Sequence, residues 1–252
     1  MAIEISDRAA VREVRLCRPA KMNAIDEPMY AVMAQALETA ATDPAIRVVL
    51  MSAEGADFCA GNDLAGFAAM AAAGPEAMRT SQVLRFLRAL AGLEKPLLAV
   101  PQGRAIGVGA TLLLHCDLIF ASTDLQLRMP FVDLALVPEA GSSLLLPQRI
   151  GHARAYAMFA LGESLDAAAA LRLGLVNAVD AAPGHRARAL AAAEHLCARA
   201  PGALSATKRL MRDREALVSV IETEAAVFGA RLSSPEALEA FQAFLQKRPA
   251  QF

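Results

Sequence analysis

The spacing of apolar positions divides the chain into elements. Ile3-Glu4-Ile5 and Val14-Arg15-Leu16-Cys17 alternate apolar with polar residues around Asp7 and Arg8, which predicts a hairpin at a sheet edge. Arg18-Pro19 ends the second strand. From Asp26, an N-cap candidate with Pro28 in the first turn, apolar positions move to helical spacing. They place Met29, Val32, Met33, Ala36 and Leu37 on one face, up to Asp43-Pro44. Arg47 to Ser52 is an apolar run of strand length, so strand, helix and strand predict a parallel pair joined by a crossover. Ala65 to Thr80 is alanine-rich, is broken by Gly66 and Gly74-Pro75, and reads as a mobile or weakly helical flap. Val83, Leu84, Leu87 and Leu90 then mark an amphipathic helix.

Pro96 to Asp117 reads as a short buried strand, a turn punctuated by Gly103, Gly107 and Gly109, and a helix apolar nearly all round, hence internal. Free N–H groups in the first turn of such a helix can face a negatively charged oxygen. The glycines can equally serve close packing alone, and this stretch leaves both readings open. Leu118 to Ala121 and Leu125 to Leu127 are short strands. After Pro130 an edge-like segment carries Asp133 on its alternating face and leads through Glu139 to a helix over Ser142 to Arg149. From Gly151 the period is helical, apart from a strand-like run at Leu175 to Val179. The last helix has Ser233 and Glu236 as a capping box, Pro235 in its first turn, and Leu238, Phe241, Phe244 and Leu245 on one side. The expectation is an α/β core, residues 1–195, followed by a helical region, 196–252.

A chain of 252 residues suits one such domain. With 25 basic and 26 acidic residues the net charge is −1, and the isoelectric point is about 6.4, which gives no field drawing the protein to nucleic acid or an anionic membrane. Much of the hydrophobic content of 56% is alanine, and no run is long enough to span a bilayer. The first residues lack a basic start with an apolar core, so a cytoplasmic protein is expected. Cys17, Cys59, Cys116 and Cys197 form no Cys-x-x-Cys pair; they are expected as buried thiols, with neither a disulfide nor a metal site. His115 reads as a core histidine without an acid partner, and His152, His185 and His195 as helix-surface residues. Asp63 reads as a helix cap.

Four segments taken together resemble the crotonase, or enoyl-CoA hydratase/isomerase, superfamily. They are Arg18-Pro19-Ala20-Lys21-Met22-Asn23-Ala24, Phe58-Cys59-Ala60-Gly61-Asn62-Asp63-Leu64, the Gly103 to Asp117 block, and Phe244-Leu245-Gln246-Lys247-Arg248. Their order and spacing match over essentially the whole chain. The resemblance implies a spiral of ββα units with C-terminal helices that mediate a homotrimer or dimer of trimers and cover the CoA site. It implies a thioester oxygen held between the backbone N–H groups of Asn62 and Val108, where one such donor is typically worth about 3 kcal/mol to a developing oxyanion. Valine at 108 stands where the family usually has glycine; it narrows the pocket and restricts the backbone. Substrate contacts are implied for Ala24, Ala60, Gly61, Asp63, Leu64, Gly107, Thr111, Phe131 and Pro138. CoA contacts are implied for Lys21, Met22, Phe244 and Lys247, the last two often from a neighbouring subunit. No separate cofactor is expected, CoA being part of the substrate.

Family hydratases carry two glutamates that hold the attacking water, and here those positions are Thr111 and Phe131, neither of which can act as a carboxylate base. Glu139 instead matches the single acid of the Δ3,Δ2-enoyl-CoA isomerase branch. By itself it could be a first-turn acid for the helix that follows, favourable by about 0.5 kcal/mol; the resemblance favours catalysis, with apolar neighbours such as Phe131 raising its pKa. Dienoyl-CoA isomerases use a further acid where Phe131 stands. The alternatives are enoyl-CoA hydration or other enolate chemistry, and a non-catalytic CoA-binding subunit.

Overall fold

The computed structural model describes residues 2–63, 66, 74 and 77–252; most of the expected flap, and Leu64, lie outside them. Strands β1 (Ile3–Arg8) and β2 (Val11–Leu16) form the expected antiparallel hairpin, with Ile3 opposite Leu16. Helix α1 (Glu27–Thr42) begins where the Asp26 carboxylate accepts from the Met29 N–H at 3.1 Å. Tyr30, Met33, Leu37 and Ala40 pull its buried stripe to one flank, so Val32, expected inside, lies on the solvent flank and is 44% exposed. Strand β3 (Val48–Ala53) pairs parallel with β2, as the crossover requires. Helix α2 (Gln82–Gly92), capped by Ser81, buries Val83, Leu84, Leu87 and Leu90 and leads to β4 (Leu97–Ala99).

Then come β5 (Arg104–Ile106) and α3 (Val108–Thr111), which tightens into a 3-10 turn over Leu112–His115, all of it buried. Next are β6 (Leu118–Ser122), β7 (Gln126–Arg128), α4 (Ser142–Ile150), α5 (His152–Ala160), β8 (Leu165–Asp166), α6 (Ala167–Arg172) and β9 (Ala178–Asp180). Helices α7 (Gly184–Cys197), α8 (Pro201–Met211), α9 (Arg214–Leu232) and α10 (Pro235–Leu245) complete the chain, so the expected boundary at 195 falls inside the last turn of α7.

The strands form two layers. One sheet runs β1-β2-β3-β4-β6-β9 and a second runs β5-β7-β8, and Cys59 bridges in parallel to Ala105 at the free edge of β5. Each turn of the chain thus adds a strand to the first layer and then a short extended piece to the second, in the same order. This is a spiral, with the apolar core between the layers and the helices that cover them.

Five local expectations are corrected. The segment after Pro130 is no edge strand but a 3-10 turn, Val132–Leu134, closed by Ala135 at φ 55°. Pro130 supplies no N–H for a ladder, and the Asp133 carboxylate is held by Arg128 at 2.9 Å. The cap of α10 is Ser234, whose extended backbone suits that role and whose hydroxyl accepts from Ala237 N–H; Ser233 Oγ finds no partner among the described residues. The buried face of α10 is Ala237, Ala240 and Ala243, small enough to bring it close to α9 and the Val132–Leu134 turn. Leu238, Phe244 and Leu245 therefore point outward. His185 is buried rather than on the surface, and Cys17 and Cys197 are half-buried while Cys59 and Cys116 are enclosed.

Candidate active site

The centre of the site is backbone. The Cys59 N–H donates to Arg104 O at 3.0 Å and the Ile106 N–H to Cys59 O at 2.9 Å, so the segments ending in Asn62 and Val108 run side by side. Ile25 N–H donates to Gly61 O, Asp63 N–H to Ile25 O, and Gly107 N–H to Arg128 O, each at 2.8 to 2.9 Å. Between these bonds, the Asn62 and Val108 N–H groups have no acceptor among the described residues. Both backbone conformation and close packing call for glycine here. Gly103 and Gly107 take φ of 55° and 54°, whereas Gly109 needs space: a Cβ there would stand 2.5 Å from Cys59 O. Val108 has an ordinary helical backbone, and its buried side chain lines the cleft.

Glu139, 6% exposed, accepts a hydrogen bond from Thr111 Oγ1 at 2.5 Å. Its surroundings are Met78, Val83, Leu87, Ile221, Ala225 and Phe228, with Asn62 as the other polar side chain lining the same small cavity. Burial pushes its pKa up to about 8 against the Thr111 bond, and the Glu224 charge adds to the rise. Phe131, expected beside it, is not part of that lining; it packs against Phe159 with ring planes tilted by 44° and centres 6.2 Å apart, and lines the adjoining cleft.

The first-turn role considered for Glu139 is filled by another acid. Glu224, buried on α9, accepts from the N–H groups of Gly141 at 2.5 Å and Ser143 at 2.9 Å, at the start of α4. Ala140 and Gly141 take positive φ, 62° and 70°, to turn the chain between Glu139 and the helix. His115 fixes that turn, with Nε2 2.7 Å from Ala140 O. Arg212, which only donates, contacts Nδ1 at 2.8 Å, so Nδ1 is the acceptor and Nε2 carries the proton. Burial and the nearby Arg212 charge push His115 down to about 3, and the ring is neutral. No sequence pattern joins Glu224, Arg212 and His115 to Glu139, because only the tertiary fold makes them neighbours.

Beside the two free N–H groups opens a cleft of about 470 Å³. Met22, Ala60, Gly61, Gly107, Val108 and Phe131 line it among the expected residues, and Phe244 closes it from α10 of the same chain. Ala24 and Pro138 are outside that lining: Ala24 O accepts from Arg18 at 3.0 Å, and Pro138 leads into Glu139. Asp63 pairs with Arg18 at 2.9 Å; the helix that it was expected to cap lies outside the described residues. Lys21 and Lys247 are exposed and do not line the cleft, whereas Arg248, held by Glu239, does. Two further residues escaped the sequence reading. Asn23 accepts from the Arg18 N–H and donates to Glu54 O and Asp57 O, each at 2.8 Å, and Tyr30 donates from its hydroxyl to Asn62 Oδ1 at 2.5 Å. Among the described residues no group of three or more His, Cys, Asp or Glu side chains could hold a metal ion, and no helix is long and apolar enough to cross a membrane.

A two-layered strand spiral enclosing a glycine-built pair of free N–H groups is the architecture of the crotonase fold. The chain belongs to the enoyl-CoA hydratase/isomerase family, whose model matches residues 6–252. It is similar to the crystal structure of enoyl-CoA hydratase/isomerase from Pseudoalteromonas atlantica T6c, with a TM-score of 0.93 and 37% identity over 100% of both chains. It is 30% identical to enoyl-CoA delta isomerase 2 of Rattus norvegicus over 98% of this chain, but spans only 64% of that protein's length. A probable enoyl-CoA hydratase of Rhodobacter capsulatus is 34% identical, over 99% of this chain and 96% of that protein.

Proposed function

We propose that this member of the family is a 3-enoyl-CoA isomerase in which Glu139 is the acid/base. The observation that carries the reading is the enclosed Glu139 carboxylate, hydrogen-bonded to Thr111 and the one acid among the described residues lining the cavity it shares with Asn62. The acyl-CoA occupies the cleft, with the thioester oxygen between the N–H groups of Asn62 and Val108 and the nucleotide end toward Lys21, Met22, Phe244 and Arg248. Ionised Glu139 removes a proton from C2. The C–H electron pair becomes the C1–C2 double bond of a dienolate as the carbonyl pair moves onto the thioester oxygen, where the two N–H groups stabilise the charge. The dienolate then collapses: the carbonyl re-forms, the C1–C2 pair shifts to make the C2–C3 double bond, the C3–C4 electrons take the proton back at C4, and Glu139 is ionised again. One carboxylate suffices.

Hydration requires water held and oriented by two carboxylates. Here Thr111 and Phe131 occupy the positions that supply them in family hydratases, and Glu224 is committed to the N–H groups of Gly141 and Ser143. The lining of apolar side chains favours retention of the proton on Glu139 over exchange with solvent. The protein is proposed to assemble as a homotrimer or dimer of trimers; the 90% and 83% exposure of Leu210 and Met211 on α8 is consistent with such contacts. The test of the reaction is the absorbance of the conjugated 2-enoyl thioester on mixing with hex-3-enoyl-CoA, beside a run with crotonyl-CoA to detect hydration. A rise with the first substrate, no loss of the second, and a dead Glu139→Gln variant support the reading. Crotonyl-CoA hydration that survives in the variant overturns it.

A further inference from the structure

Tyr30 is completely enclosed, yet its hydroxyl is aimed at the site and donates at 2.5 Å to Asn62 Oδ1. That bond fixes the carboxamide. With its oxygen held by Tyr30, the amide presents Nδ2 and its two N–H bonds to the opposite side, and Nδ2 has no acceptor among the described residues. Asn62 is half-buried and lines the Glu139 cavity, the acyl-CoA cleft and a third pocket beside Tyr30 that carries Asp26, Glu27 and Ser81, so an acyl chain in either of the first two passes it. Apart from Asn62 and Glu139, the described residues that line the Glu139 cavity are apolar. An amide donor left unmatched in such surroundings disfavours a plain hydrocarbon chain and favours one that brings an acceptor.

We infer that the Tyr30–Asn62 pair selects acyl chains carrying a neutral oxygen acceptor, a hydroxyl or ketone, just beyond the migrating double bond. A carboxylate is disfavoured, because Glu139 shares the cavity and Glu224 lies behind it. This inference rests on the proposed isomerisation for its substrate geometry. The discrimination follows the rule that a site built to hydrogen-bond a substrate oxygen rejects the analogue lacking it, since the site's own polar group is then left unpaired.

The test compares 5-hydroxypent-3-enoyl-CoA with hex-3-enoyl-CoA, in which a methyl replaces the hydroxyl at equal heavy-atom count. The expected result is kcat/KM higher for the hydroxylated substrate by about fivefold to tenfold, the worth of one neutral hydrogen bond. In Asn62→Ala and Tyr30→Phe the ratio should fall to one or below. Each ratio is taken within one variant, so a loss common to both substrates cancels. Titration calorimetry with the saturated pair, 5-hydroxypentanoyl-CoA and hexanoyl-CoA, reads the same preference without turnover. Equal or inverted affinities in the wild type overturn the inference. Preferred binding of the hydroxylated ligand that Tyr30→Phe abolishes sustains it, even where neither enoyl-CoA is isomerised, an outcome that overturns the isomerase reading alone.

Discussion

Thr111 Oγ1 donates to Glu139 Oε1 across 2.5 Å, joining the internal helix α3 to the acid that precedes α4. The bond favours the ionised acid and opposes the burial that raises its pKa to about 8. Thr111→Val keeps the shape and removes the donor. The midpoint of the kcat/KM pH profile should move upward by about one to two pH units, since a bond to a charged group is worth about 1.5 to 3 kcal/mol. Activity at pH 7 should drop roughly tenfold to a hundredfold and recover in part at high pH. A profile that stays in place removes Thr111 from this role.

Glu139→Gln should lower isomerisation by about 10²- to 10⁴-fold, the usual contribution of a positioned acid/base. The wild-type rate should rise with pH up to about 8 and then level off, because the working base is the ionised form. Stability runs the other way. Between the ordinary carboxylate pKa and about 8 the folded chain binds more protons than the unfolded one, so this group costs stability as pH rises through that window. The melting temperature of the wild type, relative to Glu139→Gln, should therefore fall from pH 5 to pH 9. A constant difference between the two would show that the buried acid is already ionised at low pH.

Glu224→Gln should shift the activity profile in the direction opposite to Thr111→Val, toward lower pH, because the Glu224 charge helps to raise the Glu139 pKa. The neutral amide oxygen can retain an acceptor at the start of α4 but not the charge-assisted bonds to Gly141 and Ser143, so a destabilisation of about 1 to 2 kcal/mol should accompany the shift. Denaturant unfolding and the rate profile check both halves; shifts of the same sign in the two variants would contradict the assigned electrostatics.

Gly109→Ala should damage both stability and turnover. Its methyl would sit 2.5 Å from Cys59 O and 2.7 Å from Cys59 Cβ, which forces apart the two segments that present the Asn62 and Val108 N–H groups. Overpacking of this kind costs about 1 to 3 kcal/mol. The kcat loss should exceed that of Gly202→Ala, a position with open space around it. Comparable activity in both variants would mean that the close approach of the segments does not matter to catalysis.

The hairpin, the α1 cap, the parallel crossover and the glycine turns were legible because each is written in local spacing: period-two strands, Asp26 before Pro28, glycines where strand becomes helix. Glu139 and Thr111 were legible as individual positions, but their mutual bond was not. Glu224, Arg212 and Tyr30 were invisible because each looks, within its own stretch of sequence, like an ordinary surface or core residue. Phe131 lines the adjoining cleft and not the small Glu139 cavity: Pro130 and the left-handed Ala135 fold that segment into a tight turn, and the ring packs against Phe159. Helix α10 misled through its alanines, since the largest apolar side chains suggested a buried face that the small ones occupy.

The free donors at Asn62 and Val108 belong to the main chain, and that divides the site by heritability. No replacement by any residue other than proline can delete them, so the side chains at these positions are open to drift, which is how valine can stand at 108 without removing its N–H. Under the proposed function, substrate preference can therefore diverge by single substitutions at Asn62, Tyr30 or Phe131 while the pair of main-chain donors is inherited intact. The fragile letters of the text are the silent ones, Gly103 and Gly109, which contribute no chemistry but where an added Cβ would run into Ala56 O and Cys59 O.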